Sequence, residues 1–220
     1  MIKHLTIAAA LFAASAAQAG SCFHFKGQVG GAAYAEAADG LWIQKGLPHK
    51  LQLTAPSAEA TLVCDTDHVA FNLGYAWLGT IHSQGLATTD ANYNLATKTV
   101  RTPMPLATFV GSGHDQGVMF TIEPHYDFGE VRVGIEGGPY FHKATWTVDA
   151  TNIVGAIGQT PFSAHVVSQG GWHLGYVLGF SVTYKNVSLS YQFVDNPAKP
   201  GDPAPPIWKN THVLTLGYTF

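Results

Sequence analysis

The sequence predicts an all-β protein, an eight-stranded antiparallel transmembrane up-and-down β-barrel with long loops at one end. Three observations point there. Segments along the chain alternate apolar or aromatic side chains with small or polar ones, the period of two that belongs to strands. Charged residues make up only 11% of the chain while aromatic residues make up 12%, against the roughly 25% charge of an ordinary soluble domain. The connections between alternating segments are short and long by turns. Hydrocarbon contact on one face of every strand accounts for the missing charge without any long apolar run.

Taken in order, Met1 to Ala19 reads as a signal peptide. Lys3 is followed by an apolar stretch from Leu5 to Ala14, and Ala17-Gln18-Ala19 fits the small-x-small cleavage rule. The apolar stretch is shorter than the ~20 residues of a membrane-spanning helix, so residues 1–19 are expected to be removed and residues 20–220 to form one barrel domain. The first strand, Phe23 to Ala35, is rich in glycine and alanine. The second, Leu51 to Val63, changes phase near Pro56, where a bulge is expected. The third, Val69 to His82, sets Val69, Phe71, Leu73, Tyr75, Trp77 and Ile81 outward against Asn72, Gly74, Thr80 and His82.

The fourth strand, Val118 to Phe128, carries Phe120, Ile122, Tyr126 and Phe128 on one face and Thr121, Glu123, His125 and Asp127 on the other. Gly129-Glu130 turns the chain into a fifth, which continues the outer face with Val131, Val133 and Ile135 and points Arg132, Gly134 and Glu136 inward. It runs on through Tyr140 to Trp146, with a bulge expected at Pro139. The sixth, Trp172 to Tyr184, and the seventh, Val187 to Val194, are joined by Lys185-Asn186. That two-residue connection pairs Tyr184 with Val187 and Thr183 with Ser188 without a slip in register. The eighth, His212 to Phe220, reads HVLTLGYTF and stops on an aromatic residue.

The alternation, the terminal Phe220 and the amino-terminal segment resemble the small outer-membrane β-barrel family of Gram-negative bacteria, the OmpA-, OmpX- and OmpW-like barrels. The resemblance implies export through the periplasm to the outer membrane and contact with its lipid and lipopolysaccharide. It also implies that Phe220 is the assembly signal read by the outer-membrane assembly machinery. A monomer is expected. The short turns near Asp65 to His68, at Gly129-Glu130 and at Lys185-Asn186 then face the periplasm. The long connections, Ala37 to Lys50, Ser83 to Gly117, Thr147 to Gly171 and Asp195 to Asn210, face outward as loops able to meet an extracellular ligand. Five prolines between Asp195 and Pro206 stiffen the last of them. Phe23, Phe71, Phe128, Tyr184 and Phe220 are expected at one interface and Trp77 and Trp172 toward the other. With Phe23 opening the first strand and Cys64 just past the second, the hairpin brings Cys22 and Cys64 together at the periplasmic rim, where an oxidising compartment joins them. Closing such a loop stabilises by roughly 4 kcal/mol.

Polar residues suggest what the interior does. The turn at Gly129-Glu130 places Asp127 opposite Arg132, a cross-strand ion pair, and Glu123 opposite Glu136, which repel unless a cation or proton joins them. With His125 nearby, these residues read either as an acid/base site or proton-sensitive gate, or as a lumen plug in which Lys26 or Arg132 supplies counter-charge. The plug is favoured because eight strands enclose an interior just wide enough for side chains. His82, His125 and His173 are expected in the lumen but on different strands, so no metal site and no cofactor are predicted. Lipid A-modifying enzymes exist among such barrels. The nearest suggestions here, His82-Ser83 and His165 with Ser168 in the third long loop, lack an orienting carboxylate, and neighbouring strand residues face opposite sides. No catalytic residue is expected. The net charge of −3 argues against nucleic acid. What remains is a non-catalytic surface protein acting in recognition, adhesion or envelope structure. The alternative is a narrow channel for small or hydrophobic solutes; Gly74, Gly134, Gly175 and Gly179 either leave room inside for it or simply relieve bending strain in a tight barrel.

Overall fold

The computed structural model describes residues 22–36, 49–88, 93–94, 99–100, 105–154, 160–195 and 208–220. The expected signal peptide lies outside these residues, as does most of the first and last long connections. The described elements are β1 (Phe23–Glu36), β2 (His49–Gln52), β3 (Thr54–Asp65), β4 (Val69–Thr88), β5 (Tyr93–Asn94), β6 (Thr99–Val100), β7 (Pro105–Phe128), β8 (Val131–Ile153), β9 (Phe162–Tyr184), β10 (Val187–Asp195) and β11 (Trp208–Thr219). Every pairing is antiparallel, and the ring β1-β3-β4-β7-β8-β9-β10-β11 closes through β1 on β11. This is an eight-stranded antiparallel up-and-down barrel. β2 carries β3 onward past Leu53 along β4, and β5 with β6 forms a small separate hairpin.

The ring follows from the turns. Gly129, with φ of 67°, and Lys185, with φ of 56°, supply the left-handed residues that two-residue hairpins need. They fix Asp127 opposite Arg132 and Tyr184 opposite Val187. From these ends the outer face shows Phe71, Leu73, Phe120, Ile122, Ile135, Leu178, Phe180, Leu189, Leu214 and Leu216 to the surroundings, an apolar band suited to hydrocarbon rather than water. Cys22 and Cys64 form a disulfide at the foot of β1 and β3.

Four expectations need correction. The third strand inverts midway: the register shifts between Trp77 and Thr80 at Gly79, whose φ of 79° marks the bulge. Ile81 is therefore fully buried and His82 faces out, the reverse of what alternation through the whole strand requires. Pro139 causes no bulge, because the inward positions run unbroken from Gly134 to Ala150. Its ring sits on the outer face beside Gly138, where the ladder to β7 skips a step without slipping. Pro56 lies within an alternating strand opposite Gly31, and the break falls at Leu53 instead. Lastly, much of Ser83 to Gly117 and Thr147 to Gly171 is strand. β4, β7, β8 and β9 span 20 to 24 residues, against 9 to 14 for β1, β3, β10 and β11. The barrel wall thus has a tall half and a short half.

Candidate functional site

Three levels of the lumen carry its polar chemistry. At the turn end, Arg132 reaches Asp65 at 2.5 Å and Asp127 at 2.7 Å and 3.2 Å, holding β3, β7 and β8 together. His125 Nε2 stands 3.7 Å from the other Asp65 oxygen. Lys26 and Glu123 line the same mouth, which opens as a cavity of about 520 Å³.

Above the mouth the carboxylates are enclosed. Glu123 accepts from Ser181 at 2.5 Å and from Asn72 at 3.1 Å. Glu136 accepts from Thr121 at 3.3 Å and Gln192 at 2.9 Å, and the same Gln192 amide donates to Glu59 at 3.2 Å. Glu123 and Glu136 therefore have separate sets of donors, from β4 and β9 on one side and β7 and β10 on the other. Nor do Gly74, Gly134 and Gly179 leave open space. The place a Cβ would take at Gly134 is filled by the Glu123 carboxylate, and at Gly179 the Glu136 side chain comes within 2.9 Å of it. Glycine is needed there so that the opposing carboxylate can lie flat against the strand. Alternation in the second strand marks Ser57, Glu59 and Thr61 as inward, so Glu59 was within reach of sequence reasoning, but its bridge to Gln192 depends on barrel closure.

The loop-end half of the lumen is sealed differently. Leu78, Ile81, Tyr140, Val177, Val194, Val213 and Trp208 are almost wholly buried. Tyr34 donates to the Leu78 carbonyl at 2.8 Å and meets Trp208 edge-on at 4.9 Å. Within this apolar layer Asp115 meets His142, both fully buried, with Nδ1 at 2.8 Å and 3.0 Å from the two carboxylate oxygens. A carboxylate only accepts, so Nδ1 carries the proton. Tyr140 stacks on His142 at 4.6 Å, and His173 approaches at 5.8 Å. Neither Asp115 nor His142 stood out in the sequence, because their strand segments were assigned to a loop or left without facing.

The enzyme candidates are kept apart. His82 faces out while Ser83 is buried inside. His165 and Ser168 lie on β9 rather than in a loop, with no hydrogen bond between them among the described residues. A carboxylate does stand beside His165, contrary to expectation: Asp149 Oδ1 is 2.8 Å from Nδ1, and both side chains are more than half exposed to solvent.

No family model matches the sequence, and no curated protein does. Among solved structures, the chain is similar to Ail, the attachment invasion locus protein of Yersinia pestis, at 14% identity with a TM-score of 0.43, covering 90% of this chain and 98% of that one. Ail in complex with the heparin analogue sucrose octasulfate is similar at 12% identity with a TM-score of 0.45, covering 90% and 99%.

Proposed function

We propose that this protein is a non-catalytic outer-membrane barrel that recognises extracellular partners through its projecting wall and the connections above it. The carrying observation is a sheet edge with no strand partner among the described residues. β9 pairs with β8 up to Phe162, whereas its pairing with β10 ends at Val177. On that side the β9 backbone from Phe162 to Tyr176 has no strand partner among the described residues. Such an edge is a template for an added strand, with main-chain hydrogen bonds giving affinity and alternate side chains giving selectivity. Both faces of Phe162 to Val166 are open to solvent as well.

Support for the location comes from the apolar band on the outer face of the ring. A closed interior favours recognition over transport, since carboxylates seated against glycines and an aromatic layer fill successive levels of one narrow lumen. The test has two arms. In planar bilayers the refolded protein gives no discrete conductance; reproducible steps would support the narrow-channel alternative. In binding to an arrayed library of extended decapeptides, single prolines placed successively from Val166 to Trp172 weaken capture at alternate positions, where the edge N–H is removed. Equal capture by every proline variant would sink the edge mechanism.

A further inference from the structure

At the turn-end mouth two hydrogen-bond acceptors face each other. His125 Nδ1 lies 3.3 Å from the Glu123 carbonyl oxygen. A carbonyl only accepts, so Nδ1 carries a proton, and in the neutral imidazole Nε2 is left with a lone pair. That lone pair faces Asp65 Oδ1 at 3.7 Å. The His125 side chain is 1% exposed, and neither Nε2 nor Oδ1 has a hydrogen-bond partner among the described residues. Arg132 holds the second Asp65 oxygen, which fixes the carboxylate in this orientation.

Both atoms are closed to solvent. A water or a metal ion therefore needs the strands to part before it can enter, whereas a proton needs no room. Placed on Nε2, a proton turns two facing acceptors into a charge-assisted hydrogen bond with a separation of about 2.7–2.9 Å, which small side-chain torsions reach from the present distance. The surrounding charges favour it. Asp65 on β3 with Glu123 and Asp127 on β7 are set against Lys26 on β1 and Arg132 on β8, so three carboxylates meet two cations and one negative charge is left over. The other titratable groups there are His24 on β1, His68 in the turn before β4, and Glu130 with Lys185, which pair with each other at 3.4 Å. Phe220 borders the same cavity.

We propose that His125 and Asp65 form a proton-operated latch across the foot of the barrel. One proton at Nε2 ties β7 to β3 over Ala70, the inward residue of β4 that pairs with Asp65 on one side and Glu123 on the other. Without that proton the two acceptors repel, and Asp65 is held by Arg132 alone. The mouth is therefore tighter in acid than in alkali. The latch sits at the opposite end of the barrel from the unpaired β9 edge and stands whether or not that edge captures a partner.

The test compares the refolded wild type with His125→Gln and Asp65→Asn in detergent micelles. Between ~pH 5 and ~pH 8, the interval in which histidine exchanges its proton, the wild type loses stability as pH rises, because the latch bond exists only in the protonated state. Its unfolding equilibrium constant increases about tenfold more over that interval than the constant of His125→Gln. Asp65→Asn removes the extra pH dependence by another route: the amide oxygen still accepts from Arg132, while the amide N–H donates to the Nε2 lone pair and no proton is needed. His24→Gln, a change on the same mouth, keeps the wild-type response. Nitrogen-15 NMR of the wild type, with His125 assigned through its backbone, gives a reading that needs no variant: Nε2 carries a proton at ~pH 5 and none at ~pH 8. An equal pH response of wild type and His125→Gln overturns the latch, as does an unprotonated Nε2 at the acid end. So does a stabilisation that appears only with added zinc, which would put a metal ion in the gap.

Discussion

The tall and short halves of the wall place their apolar side chains by opposite rules. Low in the barrel, Leu73, Phe120 and Ile135 face out while Asn72, Glu123 and Glu136 face in. Higher on the tall half, Ala144, Trp146, Val148 and Ala150 turn inward, and Gln116, His114, Ser112, Lys143, Thr145 and Thr147 line the outer side. Ser112 and Thr147 bond at 3.1 Å there, and Thr145 bonds His114 at 3.1 Å. The upper tall wall is therefore built like a water-soluble sheet with one packed face, whereas the lower ring is built for hydrocarbon. On β7 and β8 the exchange occurs with no change in strand phase, because composition alone changes which face is apolar. On β4 it takes the Gly79 bulge, which turns Ile81 into the packed layer.

The most disruptive way to test this contrast is at the Asp115–His142 pair, hydrogen-bonded and fully buried in the tall half. His142→Ala leaves Asp115 uncompensated in an apolar layer and should cost about 3–5 kcal/mol, read as a lowered unfolding midpoint in detergent micelles. A loss below 1 kcal/mol would show that water reaches this layer. On the short half, Cys22→Ser, or reduction of the parent, should cost about 2–4 kcal/mol, checked by unfolding with and without reductant.

The boundary between the two solvents is read by one substitution at two heights on adjacent strands. Leu178→Arg should destabilise by about 2–4 kcal/mol if it lies at the bilayer midplane, while Thr147→Arg should shift stability by no more than ~0.5 kcal/mol. Comparable losses at both sites would place Thr147 within hydrocarbon. Also small is Arg132→Ala at the wet mouth, where partly exposed ion pairs contribute about 0.2–1 kcal/mol; urea titration in lipid vesicles resolves it.

The lower ring was legible because two-residue turns fix register outright: once Gly129-Glu130 and Lys185-Asn186 are recognised, Asp127 must face Arg132 and Thr183 must face Ser188. Cys22 and Cys64 were legible for the same reason, as a hairpin brings its two ends together. The upper wall was not. Thr147 and Ser112 on an outward face look like loop composition when the outer face is expected to be apolar, so strands continuing into water were taken for loops. A glycine bulge such as that at Gly79 has no mark that distinguishes it from Gly74, which sits in regular alternation. The carboxylate seats at Gly134 and Gly179, and the Asp115–His142 pair, depend on which side chain arrives from a neighbouring strand. Those glycines stayed open between cavity and strain relief because a sequence shows the missing side chain and not the one that replaces it.

The seam between β1 and β11 joins Lys26 to Thr219 and Val29 to Leu216, residues at opposite ends of the described chain, and the Phe220 amide donates to the Phe25 carbonyl. Pairing of this kind has high contact order, so ring closure is the slow step of folding and comes after the local hairpins. Until it forms, β1 and β11 each present a free edge. A barrel caught before closure is therefore exposed to pairing with a second unfinished copy, and the time spent in that state, more than the stability of the finished ring, sets its risk of misassembly.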